Sequence, residues 1–174
     1  MFGESIKASS SIEVLYNKIV LLSRNKSFFV NMSIKDTFQN KINLIFFHTC
    51  FLFIKAKQKN TGNLYKDFYQ KMFDLIFNKI EINMRELGFG DVTVNKNMKF
   101  LVKIFYNILM NCENFKSKKS NEKEQFLCKY LYDGKAAKTD KKTNIIEYFD
   151  KYHSFCLDLT ADKVLKGELN FTYK

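Results

Sequence analysis

The sequence has no proline and no tryptophan, only six glycines among 174 residues, and just two arginines among its 29 basic residues. Without proline there can be no proline-rich linker, no polyproline recognition segment and no proline-kinked helix. Scarce glycine argues against flexible linkers and a fold of many tight turns. The four cysteines, Cys50, Cys112, Cys128 and Cys156, lie far apart, each within a helical apolar pattern. That placement excludes a disulfide framework and a paired zinc motif; it reads as free thiols buried as small hydrophobes in a reducing compartment. The two histidines, His48 and His153, belong to no cluster with metal spacing. No segment alternates long enough to form a trustworthy strand, and no internal repeat is present. The longest apolar run, 42–54, is closely flanked by Lys41 and Lys55 and falls short of the ~20 residues a spanning helix needs. The N-terminal MFGESIKASSS lacks a signal-peptide core and is too short for an arginine-rich transit segment, so no cleaved address is expected.

What is present is apolar periodicity and positive charge. Hydrophobic residues make up 46% of the chain, enough for one domain, 1–174, with a core that needs neither metal nor disulfide. The formal net charge is +11, carried almost wholly by lysine, and part of that excess matches the composition an AT-rich genome would write.

Ser11 is positioned to cap a first helix over 12–26, whose apolar side is Ile12, Leu15, Tyr16, Ile19 and Leu22. An aromatic connector, 27–35, has room for one helical turn. Asp36 and Thr37 make an N-cap for the next helix, and within it 42–54 places apolar side chains at nearly every angle, as expected of a helix buried on several sides. His48 lies in that run and is expected to share a hydrogen bond inside the core. The stretch 55–63 reads as a loop.

The most informative region is 81–106. Leu64, Phe68, Met72, Leu75, Ile76, Ile80 and Leu87 recur at helical spacings and should share one face of a helix that stops at Gly88, a residue suited to the left-handed C-cap. After Gly90, the residues Asp91, Thr93 and Asn95 are candidate N-caps for another helix, with Met98, Leu101, Val102, Phe105, Leu109 and Cys112 facing inward. The Gly88-Phe89-Gly90 triplet is not a nucleotide loop, because the third glycine is missing and no strand precedes it. Glu81 and Arg85 stand i,i+4 in the favourable order, and Arg85, rare as arginine here, is suited to a specific planar contact. Beyond Phe115 a polar break leads to a short helix around Phe126 and Leu131. Residues 133–142, like 1–10, are expected to be mobile, and Thr143 to cap a last long helix that precedes a turn at 161–165. The expected fold is thus all-α, one domain of about six helices with a glycine corner between two long central ones.

The search for chemistry returns blanks: no nucleophile elbow, no H-E-x-x-H, no phosphate-cradling loop and no paired carboxylates in an apolar setting. A catalytic site and a cofactor are therefore not expected. The charge leaves open a sequence-independent contact with ribosomal RNA or with an anionic membrane surface, but no specific DNA contact.

The corner segment MRELGFGDVTVNKNMKFLVKIFY resembles the L-R-E-x-G-x-G-D-x-x-V…K-x-M-K…F-Y signature of the ubiquinol-cytochrome c chaperone family, assembly factors of the cytochrome bc1 complex. Leu15-Tyr16 with Ile19-Val20, Asp36-Thr37 through His48, and the closing KGELNF are similar to further segments of that family in the same order. Asn40-Lys41 and Asn107-Ile108 stand where the family has glycine-arginine, and Asn95 where it has proline. The resemblance implies an all-helical, non-catalytic chaperone that binds newly made cytochrome b. It also implies work in a bacterial cytoplasm, peripheral to the inner membrane, or on the matrix side in a mitochondrion, where relatives act at the ribosome with a small partner. It nominates Asp36, Thr37, His48, Arg85, Glu86, Gly88, Gly90, Asp91, Phe105 and Tyr106 as residues that bind the client or support the surface that does.

Overall fold

The computed structural model describes the backbone of residues 2–58, 63–134 and 139–173, and the side chains of 11–57, 63–134 and 144–173. Among the described residues the chain is helical without strands: α1 Phe2–Ser23, α2 Lys26–Val30, α3 Phe38–Gln58, α4 Asn63–Glu86, α5 Asp91–Glu113, a 3-10 turn at Phe115–Ser117, α6 Ser120–Leu131, α7 Thr139–Asp158 and α8 Ala161–Leu165. Five of these exceed the usual three turns by a wide margin, as a proline-free chain permits. The α2 and α8 pieces are the single turns expected at 27–35 and 161–165.

The centre of the molecule is α3. It packs against α1, α4, α5, α6, α7 and α8. Every residue of 42–54 is buried except Ile45, which is half-buried. A helix surrounded on all sides needs apolar side chains at every angle, and 42–54 supplies them. Thr37 caps it, its Oγ1 accepting from the Asn40 backbone N–H at 3.2 Å. Asn40 is itself buried and donates to the Lys35 carbonyl at 2.9 Å. Asn43 ties α3 to α6 by donating to the Tyr130 carbonyl at 2.7 Å. Around this axis Phe46, Phe53, Phe73 and Phe77 all meet Phe105 edge-to-face, with Phe77 stacked on Phe46 and tilted against Phe73. Phe47, Phe51, Phe115, Phe126 and Phe149 form a second aromatic cluster of edge-to-face and tilted pairs.

Several boundaries differ from those the sequence suggests. Helix α1 starts at Phe2, not after Ser11, and ends at Ser23 rather than near Lys26; α7 starts at Thr139 rather than at Thr143. In both cases the expected cap falls inside a helix whose first turns are too polar to show periodicity. Helix α3 continues to Gln58, into the stretch expected as a loop, because lysine, alanine and glutamine are good helix formers. The polar break after Phe115 is helical from Ser120. Residues 59–62 and 135–138 lie outside the described residues, as do the side chains of 1–10 and 139–143, and with them the mobility expected of 1–10 and 133–142. Leu64 and Leu87 are exposed, and the inner face of α4 instead carries Phe68, Met72, Ile76, Phe77, Ile80 and Met84. On α5 Val94, Ile104 and Ile108 are fully inside, whereas Met98, Val102 and Leu109 are half-buried.

Candidate functional site

The α4–α5 corner closes as a Schellman motif. Gly88, at φ +87°, donates to the Arg85 carbonyl at 2.9 Å, and Phe89 donates to the Met84 carbonyl at 3.1 Å. The second glycine has a different role. Gly90 sits at φ −72° and ψ 159° as the N-cap residue of α5 with no side-chain cap, and an added Cβ would meet nothing within 4 Å. Asp91, one of the expected caps, is the first residue of the helix; its carboxylate there complements the helix dipole. Arg85 bridges the corner: its guanidinium donates to Glu81 at 3.0 Å and 3.2 Å and pairs with Asp91 across the turn. The planar contact expected of this arginine is therefore made within the chain, to two carboxylates at the surface.

This corner leans over the start of α3. Between them and α1 lies a cleft of about 270 Å³. Tyr16 and Val20 from α1, Phe38, Ile42 and Ile45 from α3, and Ile80 and Leu87 from α4 and its end form apolar walls. Arg24, Lys41, Asn83 and Glu86 supply its polar lining. Lys41 is held by Asp36 at 2.5 Å, just before the helix. Thus parts of the two segments nominated from the sequence, 36–48 and 81–106, meet at one concave surface: Phe38, Lys41, Ile42 and Ile45 of the first and Asn83, Glu86 and Leu87 of the second. Glu86 lines that surface. Asp36, Thr37, Gly88, Gly90 and Asp91 shape or charge its surroundings without lining it.

His48 lies beneath the cleft floor and is fully buried. Its Nδ1 is 2.6 Å from the Leu44 carbonyl, which can only accept, so Nδ1 carries the hydrogen; Nε2 then accepts from the Tyr148 hydroxyl at 2.7 Å. Ser23, on the cleft wall, stands 3.2 Å from Nδ1, and the Tyr152 hydroxyl donates to the His48 carbonyl at 3.1 Å. Burial lowers the imidazole from 6.5 to about 4, only partly opposed by the Leu44 hydrogen bond, so the ring is neutral at physiological pH. Both nitrogens are engaged inside the protein, which leaves neither to ligate a metal or haem. His48 is a core histidine that can support the cleft but cannot touch an occupant.

Phe105 and Tyr106 are not at the cleft. They lie on α5, about 21 Å along the helix from Asp91 at 1.5 Å per residue. Phe105 is buried among the phenylalanines of α3 and α4, while Tyr106 is exposed beside Phe73. The sequence reading missed Arg24, Ser23 and Asn83 as cleft residues. Arginine scarcity, the signal that singled out Arg85, applied equally to Arg24.

Among the described residues no group of histidine, cysteine and carboxylate side chains could hold a metal ion, and no buried polar side-chain atom lacks a partner. Cys50, Cys112, Cys128 and Cys156 are all buried free thiols. Burial pushes the Cys50, Cys112 and Cys156 thiols well up, away from the reactive thiolate. No helix of the described residues is long and apolar enough to cross a membrane. The cleft presents an apolar concavity with a polar margin.

The family model described as ubiquinol-cytochrome C chaperone matches residues 30–171. The crystal structure of the Cbp3 homolog from Brucella abortus superposes with a TM-score of 0.82 at 20% identity, covering 99% of this chain and 94% of that one. At that identity the likeness speaks for the fold. A comparison with curated proteins finds no match.

Proposed function

Since the chain belongs to the ubiquinol-cytochrome c chaperone family, whose model spans residues 30–171, we propose that it serves assembly of the cytochrome bc1 complex by binding newly made cytochrome b in the α1–α3–α4 cleft. The observation that carries this reading is the meeting, at one apolar concavity, of the start of the family-like segment 81–106 with the family-like segment 36–48. Cytochrome b is an apolar client. A cleft walled by isoleucine, valine, leucine and aromatic side chains can take side chains from one of its segments, while Arg24, Lys41 and Glu86 meet the polar flank. Asp36 and Arg85 act at one remove: Asp36 holds Lys41, and Arg85 ties the corner to α4 through Glu81 and Asp91. The reading places the protein on the side of the membrane where cytochrome b is made.

The test is a deletion strain. Loss of the haem b difference spectrum and of ubiquinol-cytochrome c reductase activity, restored by this chain with other respiratory complexes intact, supports the reading. Normal cytochrome b and normal activity would refute it. A second reading, ribosome contact, is favoured by the net charge of +11. It requires co-sedimentation with ribosomes that falls steeply with added salt, and binding indifferent to salt would remove it.

A further inference from the structure

The outer face of α5 carries a pattern that client binding in the cleft does not use. Val92, Lys96, Lys99, Lys103, Tyr106 and Met110 follow one another at alternating intervals of four and three residues, a single stripe along the helix, and all are exposed. Phe100 stands beside it. The stripe is about 27 Å long. No carboxylate interrupts it: the acidic residues of α5 are Asp91 and Glu113 at its two ends, paired with Arg85 and Lys57. Three successive lysines are thus flanked, with Val92 and Met110 towards the two ends and Phe100 alongside, by side chains that would ordinarily be inside, Val92 being 85%, Met110 67% and Phe100 57% exposed.

We propose that this face of α5 docks on an anionic lipid surface, with Lys96, Lys99 and Lys103 at the headgroups and Val92, Phe100 and Met110 in the acyl boundary. Charge complementarity selects the partner. Two copies of the chain meeting by this face would oppose lysines with no acid to match them. A phosphate backbone would satisfy the lysines yet leave valine and methionine in water, whereas a bilayer accepts both, since lysine stems lie along apolar surface while the ammonium reaches the headgroups. The geometry also links this face to the cleft, because Leu87 on the cleft wall is only five residues from Val92, with the exposed Phe89 between them. The inference rests on the reading that the protein receives its client beside the membrane, and it adds the face that holds it there.

The absence of tryptophan allows a clean test. Phe100→Trp should shift its emission to the blue when the purified protein meets vesicles of phosphatidylglycerol and phosphatidylethanolamine, but not vesicles of phosphatidylcholine; Leu21→Trp, on α1, should not shift. In flotation with the anionic vesicles, Lys96→Gln/Lys99→Gln/Lys103→Gln should lower partitioning about a hundredfold at low salt, as expected for three lysines near a charged surface. Lys26→Gln/Lys129→Gln/Lys163→Gln, which removes the same charge elsewhere, should leave most of the binding. Equal loss in the two triple variants would make the binding a matter of net charge and overturn the proposal. So would a Phe100→Trp signal given by ribosomes or by self-association and not by vesicles. Circular dichroism and urea midpoints of each variant separate misfolding from lost binding. Flotation needs no client, so its failure would leave the chaperone reading standing, and normal cytochrome b in the deletion strain would not affect the flotation result.

Discussion

Replacing His48 by glutamine should remove a built-in acid sensitivity of the fold. In the folded chain the imidazole is lowered to about 4, against 6.5 when exposed. Above pH 6.5 the ring is neutral in both states and the stability it supports is complete. As pH falls from 6.5 towards 4, the unfolded chain takes up a proton that the folded chain refuses, so unfolding becomes easier. Below about 4 both states are protonated and the loss is complete. At 1.36 kcal/mol per pH unit the gap amounts to about 3 kcal/mol, a large share of a typical domain's stability. Glutamine does not titrate, and its amide can still donate towards Leu44 and accept from Tyr148. His48→Gln carries a fixed cost at pH 8, but the acid-dependent part should vanish. Urea unfolding of both proteins at intervals from pH 8 to 3.5 reads this directly. Carboxylates and His153 titrate in both proteins and cancel in the difference. The stability gap between wild type and variant should shrink by about 3 kcal/mol between pH 7 and pH 4. A gap independent of pH would refute the picture of a neutral ring locked between Leu44 and Tyr148.

The glycines should separate by geometry. Gly167→Ala combines φ +72° with a Cβ placed 2.7 Å from the Ser11 carbonyl oxygen, and should cost about 2–3 kcal/mol. Gly88→Ala, at φ +87° in open space, should cost only the left-handed conformation, about 1 kcal/mol. Gly90→Ala should stay within about 0.5 kcal/mol, and equal losses at 88 and 90 in urea melts would contradict the assigned roles. The buried cysteines should be nearly silent to a thiol reagent in the native protein and give four equivalents in urea; rapid reaction of even one native thiol would contradict their placement.

Much of this was legible in the chain. The stop at Gly88 follows from a periodic apolar face ending at a residue free to adopt positive φ, and the burial of 42–54 follows from apolar residues at every angle. Thr37 was readable as a cap because, with Asp36, it stands about one turn ahead of the apolar run 42–54. Helix starts in polar stretches were not readable: nothing periodic marks 2–10 or 139–143, and a serine or threonine inside a helix looks like one that begins it. Leu64 and Leu87 have the right spacing but lie at the ends of α4, beyond the neighbours that cover Phe68 through Met84. The cleft depends on how α1 lies against α4, a tertiary fact that no local spacing encodes. For the same reason Tyr148, a hundred residues from His48, gave no sign of being its partner.

The most direct test of the central claim is site-specific photo-crosslinking in cells that synthesise cytochrome b. A photoreactive phenylalanine analogue would be placed at Leu87 on the cleft wall, at Val20 opposite, and at Lys163 on α8 as a control. Adducts with newly made cytochrome b from positions 87 and 20, and not from 163, are the expected result. Adducts from position 163 with none from the cleft, in proteins that still restore bc1 assembly, would contradict the claim that the client is held between α1, α3 and the glycine corner.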